Sequence, residues 1–576
     1  MTADLILKAS TIITMDEAHP RAEAVALDTA SGTIVAVGSL ADVQAAAPHA
    51  AVTDLGTTVL MPGFVEPHSH PILSGMVTQS PAYWIAPYMG FPTWADVQAA
   101  CRKADAESPE GVPLIFNGLD RLLQQAPLPT TNDLDPLFPS GRAAVVLDNS
   151  GHAAYVNTAA IDLVGWADRK PPVDPVGGSF GRNPDGTSNG VAYELPAVMQ
   201  MAMPLLAKAI PHPLKSAAEW YAFMASFGIT STSEHTYSTS QYNAYLALSS
   251  VPDCPLRLHV YHMSTENDAE QEVTWPKPAM VRKVGIKLWA DGSPWVGNIA
   301  TSFGYLDNDR TRDAQIELGP LAEKGMNYTR GELDQILDRF VPLGYQIAFH
   351  CNGDVGFDVV LDAYEHALAK HGLLGTDHRW RVEHLGAARG DQFVRAASLG
   401  VTCSMSPFQY IYWGDLLDGT MFASEIGSQW QALQDAFQAG VRPTFHHDGA
   451  VCPPNYLFTI QHAVTRTTVT GTSHGANQAV TLDQALKAST IHGAYQLRRD
   501  HEIGSIEVGK LADFVELSAD PYSVEPNQLV DKVAVQGTWL GGRRIDPRAF
   551  LAEVTAVDPS EHADLAASAV TTKKCC

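Results

Sequence analysis

Eight short apolar runs constrain the fold of this chain more than any other feature: 64–70, 228–234, 256–262, 284–291, 345–351, 379–385, 401–407 and 442–448. Each has the length and the β-branched or aromatic content of a strand. Most are separated by stretches long enough for a helix, such as 331–343, 355–371 and 392–399. That alternation predicts an α/β protein built on a (β/α)8 TIM barrel, whose active sites form at the C-terminal ends of the strands.

Those ends carry metal-capable side chains. The first run closes on His68-Ser69-His70, and side chains two apart on a strand share a face. Two more runs finish on His350 and His384, and the eighth finishes on Asp448. Lys287 sits inside the fourth run, where desolvating an ammonium is costly. A carbamate formed with carbon dioxide would remove that charge and give an anionic ligand; an ion pair with Asp291 or Glu234 is the alternative.

With these residues in place, the chain resembles the amidohydrolase superfamily and, within it, the amidohydrolase-3 group that includes N-substituted formamide deformylases. The resemblance spans nearly the whole sequence and extends to Val176–Asp185-Gly186, Gly190–Glu194 and Gly151–Ala160. It implies two divalent ions, zinc in view of the histidine-rich set. His68 and His70 would hold one, His350 and His384 the other, with carboxylated Lys287 as a bridge and Asp448 as both ligand and proton carrier. The reaction implied is attack of a metal-activated hydroxide on a C–N amide-type bond. His152 would act catalytically by hydrogen-bonding the substrate oxygen. Departures are Cys351-Asn352-Gly353-Asp354 after His350 and His446-His447 before Asp448, where the group more often has small residues.

His152, Trp84, Glu194, Trp289 and Phe408 are the candidate substrate-binding residues, which points to an N-substituted amide or formamide with an apolar or aromatic moiety. Other readings within the superfamily are a mononuclear deaminase and a cyclic imide hydrolase. A non-catalytic dihydropyrimidinase-like scaffold is a further alternative, disfavoured because all six ligand positions are filled.

Runs near both ends, including Leu5–Leu7, Thr33–Val37, Asp513–Leu517 and Val533–Trp539, read as short β-strands, and the resemblance implies that they join as a small composite β-sandwich domain from both termini. The expected division is 1–61 and 495–550 for the sandwich, 62–494 for the barrel and 551–576 for a tail. More than 150 residues between the first two barrel strands exceed an ordinary βα connection. They predict a large insertion, about 75–220, that covers the active site.

Composition narrows the partners. With 38 basic against 63 acidic residues, the net charge of −25 argues against nucleic acid and anionic membrane surfaces. Seven cysteines without CxxC spacing give no disulfide framework and favour a reducing, cytoplasmic setting. No run has the length of a membrane span. The expected partner is a small-molecule amide; a homodimer is allowed but no seam is legible. The final Cys575-Cys576 pair reads as a reactive tail rather than a lipidation signal.

Overall fold

A computed structural model describes residues 2–175 and 178–566. Val176 and Gly177 of the glycine-rich motif, and the Cys575-Cys576 tail, lie outside the described residues. Eight parallel strands form the barrel: β1 (Phe64–Glu66), β2 (Ile229–Tyr237), β3 (Arg257–Met263), β4 (Val281–Trp289), β5 (Gln346–Cys351), β6 (Arg381–His384), β7 (Thr402–Met405) and β8 (Thr444–Phe445). They pair in sequence order from β1 to β8. Every predicted run contributes one strand.

The seam between β1 and β8 is bridged by side chains. The His447 backbone N–H donates to Glu66 at 2.9 Å, and His447 Nδ1 lies 2.7 Å from the same carboxylate. The Tyr456 hydroxyl reaches the carbonyl oxygens of Val65 at 2.7 Å and Phe445 at 2.9 Å. His447 is therefore a closure residue, which accounts for one of the two departures before Asp448.

Local chemistry sets the connecting helices. Thr329 accepts from the Glu332 N–H and Glu332 reaches back to the Thr329 N–H, so a capping box starts the helix Arg330–Phe340. Gly400, at φ +75°, ends the helix Gly390–Leu399 in the left-handed conformation that glycine adopts without a Cβ penalty. Strand β1 stops at Glu66, not at His70 as the sequence suggests. Pro67 has no N–H to donate to a ladder, so His68 and His70 sit in the loop just beyond it, ahead of the helix Pro71–Thr78.

Strands from both ends share one continuous eight-stranded sheet, in which Phe514–Leu517 pairs with both Val59–Pro62 and Val535–Leu540. Its apolar residues Leu7, Val25, Leu27, Leu60, Phe514 and Trp539 pack into one cluster. A buried bidentate pair, Arg257 with Asp513 at 2.6 and 2.8 Å, ties this sheet to β3. Between β1 and β2 the chain forms a separate six-stranded sheet, from Tyr83–Trp84 to Ser188–Tyr193, followed by the helices Leu195–Ala209 and Pro213–Ser226.

The barrel interior is polar beneath the strand ends. Arg381 and Glu383, two apart on β6, are fully buried and paired at 2.5 and 2.7 Å. Tyr261 fills the space beside them because Gly285 has no side chain; a Cβ there would lie 2.5 Å from the Tyr261 ring.

Candidate metal centre and active site

A cavity of about 140 Å³ opens at the C-terminal end of the barrel, and His68, His70, Lys287, His350, His384 and Asp448 all line it. The ligand atoms of His68, His70 and Asp448 lie within 4.8 Å of one another. Asp448 Oδ1 is 3.2 Å from His70 Nε2 and 3.5 Å from His68 Nε2. Lys287 Nζ is 3.4 Å from His68 Nε2.

Each of the four histidines has one ring nitrogen engaged away from the cavity. His68 Nδ1 meets Glu383 at 2.7 Å, and that carboxylate is held by Arg381. His70 Nδ1 lies 3.2 Å from Thr236 and 3.3 Å from Glu234. His350 Nε2 donates to the Gly292 carbonyl at 2.9 Å. His384 Nδ1 lies 3.1 Å from His446 Nε2, while His384 Nε2 is buried without a hydrogen-bond partner among the described residues. A partner on one nitrogen that fixes the lone pair on the other is how metal-ligating imidazoles are oriented.

Electrostatics favour the neutral ligand form in most of them. Burial pushes His68 and His384 well below the usual imidazole range. Burial together with the charges of Lys287 and His152 takes His350 down to about 3. His70 differs: burial opposes its cation, but Asp448 and Glu234 outweigh it and hold the ring at about 9. Burial likewise works against the Asp448 carboxylate, yet its contacts with His70 keep it ionised, at about 2. His384 and Asp448 both adopt left-handed backbone, at φ +71° and +52°. Such conformations cost of order 1–3 kcal/mol each and cluster where function requires them.

His446 was not among the sequence candidates. Placed two residues before Asp448, it shares the inward face. His446 Nδ1 lies 2.8 Å from the Ser404 hydroxyl; Thr444 lies 3.1 Å from Ser404 and 2.9 Å from Gln496 Oε1. Thr444 donates toward both Ser404 and Gln496, and His446 links this polar chain to the His384 ring. His446→Ala is expected to weaken divalent-metal binding roughly 10- to 100-fold, as loss of an outer partner does; chelator competition measures it.

The two carboxylates named as alternative partners for Lys287 are engaged by other donors. Asp291 accepts backbone N–H groups from Ala300, Asn352 and Gly353. Glu234 accepts from Tyr245 and Thr236.

Of the substrate candidates, His152 and Trp289 line the cavity. Glu194 stands behind His152, 2.8 Å from its Nδ1, and also accepts from Asn298. Trp84 and Phe408 do not line the cavity. Trp84 packs against Trp220 and Phe223, and Phe408 packs against Trp413 and the His446 ring beside the candidate centre. The insertion supplies much of the cavity's other wall, including Asn117, Asn149, Leu195 and Val198.

The amidohydrolase family model matches residues 51–546. The chain belongs to the amidohydrolase family. This amidohydrolase is a hydrolase acting on carbon–nitrogen bonds. It is 26% identical to an N-substituted formamide deformylase of Arthrobacter pascens, over 94% of this chain and 97% of that protein. It is 23% identical to the protein LONG AFTER FAR-RED 3 of Arabidopsis thaliana, over 95% and 92% of the two chains. The crystal structure of an uncharacterized metal-dependent hydrolase from Pyrococcus horikoshii shares the fold. Its TM-score is 0.69 at 18% identity, with 91% of this chain and 99% of that one covered.

Proposed function

We propose that this amidohydrolase cleaves the C–N bond of an N-substituted amide or formamide bearing an apolar moiety, at a binuclear zinc centre held by His68, His70, Lys287, His350, His384 and Asp448. The observation that carries the reading is the convergence of all six side chains on one cavity, with every histidine anchored through its other nitrogen. Divalent ions bound there supply Lewis acidity and bring the pKa of water toward neutrality. Carboxylation of Lys287 suits the same set, because an ammonium 3.4 Å from His68 Nε2 would oppose a cation at that nitrogen.

Asp448 would take the proton of the attacking water and return it to the leaving nitrogen. His152, between Glu194 and the cavity, would donate to the carbonyl oxygen. Burial lowers the His152 pKa, but Glu194 and then Asp148 outweigh it and the net shift is upward. The protonated donor therefore persists to higher pH than an ordinary imidazole. Glu194→Gln is expected to move the basic limb of the kcat/KM profile to lower pH, and an unmoved limb would remove the pair from catalysis.

A mononuclear deaminase fits less well, since such relatives generally lack a lysine on the fourth strand. The five described cysteines are buried and free, which supports a reducing, cytoplasmic setting. No helix among the described residues is long and apolar enough to cross a membrane. We read 1–61 with 495–550 as one unit and 62–494 as the barrel with its insertion.

Two tests separate these readings. Elemental analysis of zinc-grown protein should give two ions per chain, and one or none after mild dialysis would count against the binuclear centre. A screen of N-formyl and N-acyl amines, aryl amides and cyclic imides, with ammonia followed in parallel, should find amine release from the acyclic amides. Ammonia release alone would point to a deaminase.

A further inference from the structure

We propose that the catalytic cavity continues into a methionine-lined annexe that receives a linear, uncharged alkyl chain of the substrate. The proposal rests on the amide-hydrolase reading and adds a substrate class to it. A second cavity of about 70 Å³ abuts the first, and Leu73, Leu195, Met199 and Thr236 line both. Its remaining apolar wall comes from Ile72, Met76, Met203, Met263 and Leu565. These residues are distant in sequence but meet beside the candidate centre. The helix Pro71–Thr78 starts directly after His70, and Met263 ends β3.

The helix Leu195–Ala209 serves both spaces. Leu195, Met199 and Met203 repeat every four residues and face the annexe, while Val198, Ala202 and Leu206 line the catalytic cavity. Four methionines line the annexe, and their unbranched, polarisable side chains adapt to a guest's shape. Volume decides between chain and ring. A cavity of roughly 150 Å³ lined by apolar side chains admits benzene, so 70 Å³ suits a few methylenes in line and is narrow for an aryl group. Glu266 also lines the wall, and its carboxylate argues against a tail ending in an anion.

The test measures turnover and binding separately on the zinc-loaded full chain. Across N-formyl n-alkylamines of increasing length, kcat/KM should rise roughly fourfold per buried methylene, the equivalent of ~0.8 kcal/mol, and then level off. The ω-carboxylate and aryl analogues should gain less. Binding of n-alkanols, read by calorimetry, should tighten along the same series without any chemistry. Met203→Trp should flatten both length dependences; Met76→Phe, a smaller change, serves if the first variant folds poorly, with circular dichroism and metal content as controls. Turnover with no dependence on length would overturn the annexe and leave the hydrolase reading intact. Length-dependent alkanol binding with no amide cleaved would sustain the annexe and sink that reading. Alkanol binding that ignores length, or is unchanged by both variants, overturns the proposal whatever the turnover shows.

Discussion

Asp448→Asn is expected to lower kcat by about 10²- to 10⁴-fold, the usual contribution of positioned acid–base transfer, while KM changes much less. The substitution is conservative in shape and in backbone. Asp448 holds φ +52°, a conformation asparagine tolerates better than most residues. The amide retains one oxygen toward His70 but cannot accept and return a proton. Because the carboxyl is held at about 2, it is ionised throughout the near-neutral range. The loss should therefore be of similar size at every pH there, without a new limb in the profile. A metal-loaded Asp448→Asn protein that turns over near the normal rate would reduce Asp448 to a structural ligand.

Lys287→Ala should be nearly as damaging. The side chain is 1% exposed, and its nitrogen lies among the candidate ligands. Removing it should cost metal and lower activity by more than the roughly 10- to 100-fold typical of an outer-sphere loss. A short carboxylic acid added from outside should restore part of the rate, because it can supply the missing anion in the space left behind. Lys287→Met keeps the length without the amine, so full metal content and rate in that variant would eliminate the carbamate. Depletion of carbon dioxide during metal loading gives an independent readout, with slower recovery of activity expected.

The barrel was legible in the sequence because each strand is a compact apolar run, and several of the runs close on a polar residue bound for the site. Strand ends were less legible: Pro67 ends β1 before the two histidines that the apolar run seemed to carry. The six ligand candidates meet at one cavity because β-strand alternation and strand ends are local properties. Facing was harder to read for aromatics. Trp84 and Trp289 look alike in sequence, but one packs on Trp220 and the other reaches the cavity, and tertiary contacts alone separate them. The Arg381–Glu383 pair and His446 were within reach of the same two-residue alternation that paired His68 with His70. The annexe was not, since its wall is assembled from positions between 72 and 565.

The shared sheet has a consequence for the order in which the protein can be made. Phe514–Leu517 is an interior strand, flanked by Val59–Pro62 on one side and Val535–Leu540 on the other. The Gly63 N–H, immediately before β1, donates to Asp513 at 3.1 Å. During synthesis the segment Val59–Pro62 therefore emerges long before its partner, and its unpaired edge is a template for wrong pairing. A ribosome-bound chain that has not yet reached Phe514 should present that edge to chaperones, and its barrel should stay unanchored at the first strand until the closing strands are translated.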